Sequence, residues 1–243
     1  MSEQTYLSRI SLRKDVPAAA LREVLLPIGN DQRTASAHRL IWTLFADLPD
    51  RRRDFLWRES RPGEFYVLSR RSPEDKHGLF HIDPPRDFAP SLKDGDRLNF
   101  VLRVNATVAR SNGPNQRGKP CDIVMDAIRN ASQDDKRAES RKSMLGPVAT
   151  KWMNARGVKC GFTLSEVTDG EHADPVSVGP VQVLGYQVMR MDRGRGKEKL
   201  SIGVLDLQGE LEVRDPTLFV RSINDGFGRA KAFGCGLMLI KRL

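Results

Sequence analysis

Apolar residues change their spacing repeatedly along this chain, and that alternation constrains the fold more than any other feature. Ala37, Leu40, Ile41, Leu44 and Phe45 recur at i, i+3, i+4, i+7 and i+8, the pattern of one buried helical stripe. Leu98, Phe100, Leu102 and Val104 recur at every second position, the pattern of a half-buried strand. Residues 6–13, Phe55–Arg58 and Phe65–Ser69 read as strands, the last two joined around Pro62-Gly63. Val181–Met191 and Leu200–Val213 are strand-rich, and Leu237–Lys241 is a closing strand. Helices are expected after Asp31, with Asp31 or Thr34 as N-cap, and near 143–155. A further helix is expected from Pro216 to about Asn224, because Asp215 can cap it and proline suits the first helical position. Residues 122–139 fit either a helix or a loose segment, and Asp134-Asp135-Lys136-Arg137 reads as a solvated charge run.

Pro73, Pro84, Pro85 and Pro90, with Gly78 and Gly95, give 71–95 the composition of a linker with little regular structure. That places a domain boundary near residue 92, between units 1–92 and 93–243. The order β, α, β, β, linker, β, α, β, β, α, β fits an α+β fold of two tandem ferredoxin-like (RRM-like, βαββαβ) domains.

Charge narrows the partners. The chain has 243 residues, with 40 Lys and Arg against 31 Asp and Glu, a formal net charge of +9. Such an excess attracts polyanions, of which nucleic acid is the commonest soluble one, although an anionic membrane or an acidic protein would feel the same field. Nothing resembles a membrane span of about 20 apolar residues, and the first residues carry charge where a signal peptide needs an apolar run. Cys121, Cys160 and Cys235 are odd in number and form no CxxC pair, so neither a zinc site nor a disulfide framework is expected. A reducing cytoplasm is the expected location.

The sharpest local feature is Gly226-Phe-Gly228-Arg229-Ala-Lys231-Ala-Phe-Gly234-Cys-Gly236-Leu237. Its glycines let backbone approach a ligand closely, and Arg229 and Lys231 add charge. No Lys-Ser or Lys-Thr follows the second glycine, so it is not a Walker A loop. It is not a dinucleotide fingerprint either, since Lys231 stands where the third glycine belongs. Taken alone, it would be a turn-rich closing segment. His77 and His81 are four apart among acidic neighbours, but Gly78, Pro84 and Pro85 disfavour the rigid helix a metal pair needs. They read as a polar linker, and His172 reads the same way. Trp42, Trp57 and Trp152 are expected in the core.

Four segments in order carry a resemblance: Thr5–Ile10, Leu98–Asn105, Leu205–Pro216 and the glycine-rich Gly226–Leu237. Together they resemble the CRISPR repeat-processing endoribonucleases, in the type I-E branch known as CasE. The resemblance implies a pair of ferredoxin-like domains that bind the stem-loop of the repeat RNA and cut at its 3′ side. It implies cleavage without metal or cofactor, leaving a 5′-hydroxyl and a 2′,3′-cyclic phosphate. It also implies that the protein stays on its product as a subunit, with others, of the surveillance complex Cascade.

The family's histidine lies on the first helix in a pattern like Tyr-x-x-His, so the resemblance gives His38 the catalytic role. Ala35 stands where the tyrosine belongs, and Ser36 or a nearby lysine or arginine is the candidate to replace it. The chemistry suits histidine, because RNA carries its own nucleophile and needs alignment, proton transfer and charge stabilisation. An imidazole can serve as base or acid near neutral pH, and the sequence leaves both open.

Arg190–Lys199 holds five basic residues against two acidic ones, in a glycine-containing turn suited to phosphates or guanines of an RNA stem. The family places a basic hairpin here, which gives Arg190, Arg193, Arg195, Lys197 and Lys199 an RNA-contacting role. Arg103 and the loop residues Gly226, Gly228, Arg229, Lys231, Gly234 and Gly236 share that expectation. An unrelated RNA-recognition-motif protein would need exposed aromatic pairs on central strands, which Leu7–Ile10 and Leu102–Asn105 do not offer.

Overall fold

The computed structural model describes residues 4–15, 25, 27, 30–45, 53–111, 113, 116, 118–131, 138–165, 180–191 and 200–243. Its first unit runs β1 (Tyr6–Leu12), α1 (Asn30–Thr43), β2 (Phe55–Arg61), β3 (Glu64–Ser69), β4 (Phe80–Ile82) and β5 (Arg86–Asp87). The sheet order is β2-β3-β1-β4, with β5 also on β1, and every pairing is antiparallel. The turn between β2 and β3 uses Gly63 at φ 79°, a left-handed conformation that a side chain would strain.

Residues 70–79 carry the chain from β3 to β4 without a helix. The linker-like segment nonetheless supplies β4 and β5, which pair with β1. Strands of two or three residues have no period to read, so composition alone masked them.

The second unit runs β6 (Arg97–Val104), β7 (Thr107–Arg110), β8 (Lys119–Asp122), α2 (Ile123–Asn130), α3 (Ala138–Cys160), β9 (Phe162–Leu164), β10 (Val181–Met191), β11 (Leu200–Val213), α4 (Pro216–Asp225) and β12 (Met238–Arg242). Its sheet order is β10-β11-β6-β12, with β9 also on β11. In both sheets the main strands therefore lie in the order second, third, first, fourth, the ferredoxin-like arrangement. Residues 109–120, whose Gly113, Pro114 and Gly118 suggest a polar loop, overlap β7 and β8, which pair antiparallel. Asp122 then caps α2 by accepting from the N–H groups of Val124 and Met125. Asp215 caps α4 through Leu218 N–H at 2.9 Å, with Pro216 in the first turn, as the sequence predicts.

A cluster of Ile10, Leu40, Ile41, Phe45, Trp57 and Phe65 with neighbouring apolar residues fills the space between α1 and the first sheet. The units are not separate bodies, because Leu56 and Leu68 of the first sheet pack into the second unit's core. Trp57 and Trp152 are buried; Trp42 is half-buried against Phe55. The candidate side chains His38, Arg53 and Lys231 lie near the seam between the units.

Candidate active site

His38 lies on the face of α1 that meets the closing loop, and its position follows from helical geometry. Ala37, Leu40, Ile41 and Leu44 fix the buried stripe, which leaves His38 at its edge. The imidazole stands between Trp42, 6.0 Å away between ring centroids, and Phe233, at 6.2 Å. Its Nδ1 is buried without a hydrogen-bond partner. Nε2 is left as the nitrogen that can face a substrate. Burial pushes the pKa below the ordinary histidine value, and the positive charges of Arg53 and Arg39 push in the same direction. Protonation would place a charged ring among cations. The neutral form is favoured at pH 7.

The surrounding cations are unusually poorly compensated. Arg53 lies two residues before the buried Phe55-Leu56-Trp57 run of β2. Its Nη1 is buried without a hydrogen-bond partner, and burial lowers its pKa. Lys231 comes from the 3₁₀ turn Lys231–Phe233 of the closing loop. Its pKa is lowered first by burial, then by Arg53 and Arg156, while Asp225 opposes the shift. Its ammonium group donates to the Asp225 backbone carbonyl. Arg53 and Lys231 line a cleft of about 310 Å³ with Thr5, Asn224 and Asp225. Cations left unpaired in a partly buried site are expensive, and a phosphate group is their natural counter-ion.

On the other side of Trp57 two arginines share one carboxylate, although Nη1 of Arg58 is itself buried without a partner among the described residues. Arg103 donates to Asp206 at 2.7 Å, and Arg58 lies 3.8 Å from the same carboxylate. Gly234 presses against the Trp57 ring at φ 72°, where a Cβ would lie 3.1 Å from the indole. The Trp57 indole N–H donates to the Ala232 carbonyl at 3.3 Å, which pins the loop to β2. This packing sets Phe233 against His38.

A family model described as CRISPR associated protein matches residues 5–242. The chain belongs to this family, as a CasE-type member. It is similar to the CRISPR-associated endoribonuclease Cse3 of Thermus thermophilus, 29% identical over 166 residues, 67% of this chain and 64% of that relative. The aligned part thus falls just short of two thirds of the relative's length. Thermus thermophilus Cse3 bound to an RNA representing a pre-cleavage complex shares the fold at a TM-score of 0.64, with 23% identity over 98% of this chain and 99% of that one. Cas6e from Escherichia coli K-12 shares it at 0.55, with 17% identity over 98% and 100%.

In this CasE-family chain the site residues expected from sequence do not all converge. Ser36 is two residues from His38, about 200° around the helix, so it does not face the imidazole. Arg190 is exposed on β10, on the strand whose Met189 receives the Thr34 hydroxyl at 3.7 Å. Arg193, Arg195, Lys197, Lys199 and His172 lie outside the described residues. Arg103 is held by Asp206. Arg229 is exposed, and its backbone N–H donates to the Asn105 carbonyl at 3.1 Å. Gly226, Gly228, Gly234 and Gly236 all have positive φ and fold against protein: Leu56, Asn105, Trp57 and Phe227 occupy the space beside them. Only Lys231 of the loop residues is tied electrostatically to the histidine's cation cluster.

Arg53 and Arg156 are the residues that sequence reasoning passed over. Arg53 stands in the charged stretch Asp50-Arg51-Arg52-Arg53-Asp54, two residues before three buried positions of β2. Arg156 rests over the Trp152 ring at 5.1 Å on α3, and nothing local marks it. His81 lies 3.5 Å from Asp83 on an exposed edge. Among the described residues no group of three or more His, Cys, Asp or Glu is gathered as a metal site.

Proposed function

We propose that this protein is a metal-independent endoribonuclease that cuts the repeat hairpin of precursor CRISPR RNA to give mature guide RNA. It stays on the 3′ stem-loop of its product and joins the other subunits of a type I-E Cascade complex in the cytoplasm. The observation that carries the reading is His38: a neutral, half-buried imidazole bordered by Arg53 and Arg39, with Lys231 beside Arg53. The endoribonuclease activity of Cse3 and its RNA-bound structure support the same class of substrate.

The steps follow from RNA's own chemistry. The scissile phosphate lies against Arg53 and Lys231, whose charges it neutralises. Neutral His38 accepts the proton of the adjacent 2′-hydroxyl at Nε2, and the 2′-oxygen bonds to phosphorus. The bond from phosphorus to the 5′-oxygen breaks, that oxygen takes a proton from water and His38 returns its own to solvent, which leaves a 2′,3′-cyclic phosphate and a 5′-hydroxyl. Arg53 and Lys231 stabilise the extra charge of the pentavalent state, a contribution that grows as water is excluded. Because His38 needs only one accessible nitrogen, the alanine at position 35 leaves the base in place and removes one aligning hydroxyl.

Ala35 also gives specific support to a second reading, a repeat-hairpin-binding subunit of the same complex that does not cut. Purified protein is incubated with its own repeat RNA in excess EDTA, beside a His38→Ala variant. Cleavage by wild type, reduced roughly 10²-fold or more in the variant while hairpin binding persists, is the expected result. Binding without any cleavage by wild type assigns the second reading, and cleavage only when a divalent cation is restored overturns metal independence.

A further inference from the structure

A second cleft opens one helical turn along α1 from His38. It has a volume of about 270 Å³, and its walls include Arg33, Thr34, Glu59, Arg61, Gln187 and Phe233. Thr34 precedes His38 by four residues, so both side chains lie on one face of α1, about 6 Å apart at Cβ. Phe233 is shared: its ring contacts His38 and also borders the cleft. A chain held at His38 by one phosphate therefore reaches this cleft with the neighbouring nucleotide.

The cleft's polar groups are built for a base edge more than for a second phosphate. Glu59 is fixed in place, since its Oε1 accepts from Arg33 Nη2 at 2.6 Å, Arg33 Nε at 3.2 Å and Gly63 N–H at 3.0 Å. All three donors use one oxygen. Oε2 has no partner among the described residues, and a fixed carboxylate oxygen repels phosphate while it accepts strongly from an amino group. Arg61 and the Gln187 side chain are likewise without a hydrogen bond or ion pair among the described residues, and they can meet ring nitrogens and carbonyls. Phe233 supplies an apolar wall on which a base can stack.

We infer that this cleft is a base-selecting subsite for the unpaired nucleotide next to the scissile phosphate, with Glu59 as its specificity-determining residue. The inference rests on the RNA-cleavage reading above. The subsite takes a base that carries an exocyclic amino group, cytosine, adenine or guanine, whose N–H donates to Glu59 Oε2. Uracil is disfavoured, because its one N–H on that edge is flanked by two carbonyls that would face the carboxylate.

The test uses the protein's own repeat hairpin with each unpaired nucleotide beside the cleavage point changed in turn to each of the four bases. kcat/KM is measured for wild type and Glu59→Gln, and Kd is measured with hairpins that carry a 2′-deoxy sugar at the cleavage point and cannot be cut. One position is expected at which uracil lowers kcat/KM roughly tenfold and weakens binding in parallel, and Glu59→Gln brings uracil within about twofold of the other bases. A uracil penalty at no position, or an equal penalty in Glu59→Gln, overturns the subsite. Should melting show that Glu59→Gln is misfolded, Glu59→Asp, which keeps the charge but draws the carboxylate back from the cleft, is read the same way, and an unchanged preference overturns the inference. If wild type binds the hairpin without cutting it, the cleavage reading falls while the Kd series still decides the subsite. No binding to any hairpin overturns both.

Discussion

On one side of Trp57, Arg58 and Arg103 share the carboxylate of Asp206; on the other, Arg53, Lys231 and His38 have no carboxylate side chain bonded to them among the described residues. Both groups lie at the same seam and both are partly buried. The first group crosses from β2 to β6 and β11 and so ties the two units together. The second concentrates positive charge with no bonded counter-ion, which lowers stability unless an anion arrives. Paired cations here serve the fold, and unpaired cations serve the ligand. A count of arginines would not separate the two.

The largest effect should come from the unpaired side. His38→Ala is expected to reduce hairpin cleavage roughly 100-fold or more, with Kd for the uncut hairpin held within about twofold. A variant that cuts at the wild-type rate would remove the imidazole from the reaction.

Charge removal should then act in opposite directions on the two sides. Arg53→Met takes away a half-buried, unpartnered guanidinium and is expected to raise the melting temperature of the free protein while slowing cleavage roughly 10-fold or more. Asp206→Ala leaves Arg58 and Arg103 without their shared partner and is expected to cost about 1–3 kcal/mol in denaturant unfolding. If both variants shift stability in the same direction, the distinction between the groups is lost.

Gly234→Ala tests the packing that joins them. A side chain at φ 72°, 3.1 Å from the Trp57 ring, is expected to cost about 1–2 kcal/mol and to slow cleavage by moving Phe233 away from His38. Urea unfolding and single-turnover cleavage would report the two parts separately.

The smallest effect is on pH dependence, and its sign is fixed by the lowered pKa of His38. In the unfolded chain this histidine takes up its proton around the ordinary value of about 6.5; in the folded protein it does so only at lower pH. The unfolded state therefore binds more protons as pH falls below about 6.5, and stability declines through that window down to the folded pKa. Above it, His38 adds no slope. His38→Ala should flatten this part of a melting-temperature profile. With His38 as base, kcat/KM should rise with pH to a plateau with its midpoint below pH 6.5, and a midpoint at or above that pH would mean the free enzyme holds an ordinary histidine.

The local chemistry of this chain determined the elements whose signals are local. Asp215-Pro216 starts a helix wherever it stands, because the cap and the proline act within one turn. The alternation of Leu98 to Val104 makes a half-buried strand for a similar reason, and the ferredoxin-like pattern follows from the order of such segments. His38 could be singled out because a resemblance pointed to its helix; periodicity alone placed it only at the edge of a stripe. The tertiary structure decided everything that depends on a partner distant in sequence. Arg103 is held by Asp206 across a sheet, while Arg53, in a charged stretch with no local mark of a partner, meets the field of Lys231 from a loop far along the chain. The strands within 71–95 exist only because β1 offers them an edge. Whether a cation is paired, and whether an imidazole stays neutral, is set by burial and by neighbours in space, and neither is written in the residues beside it.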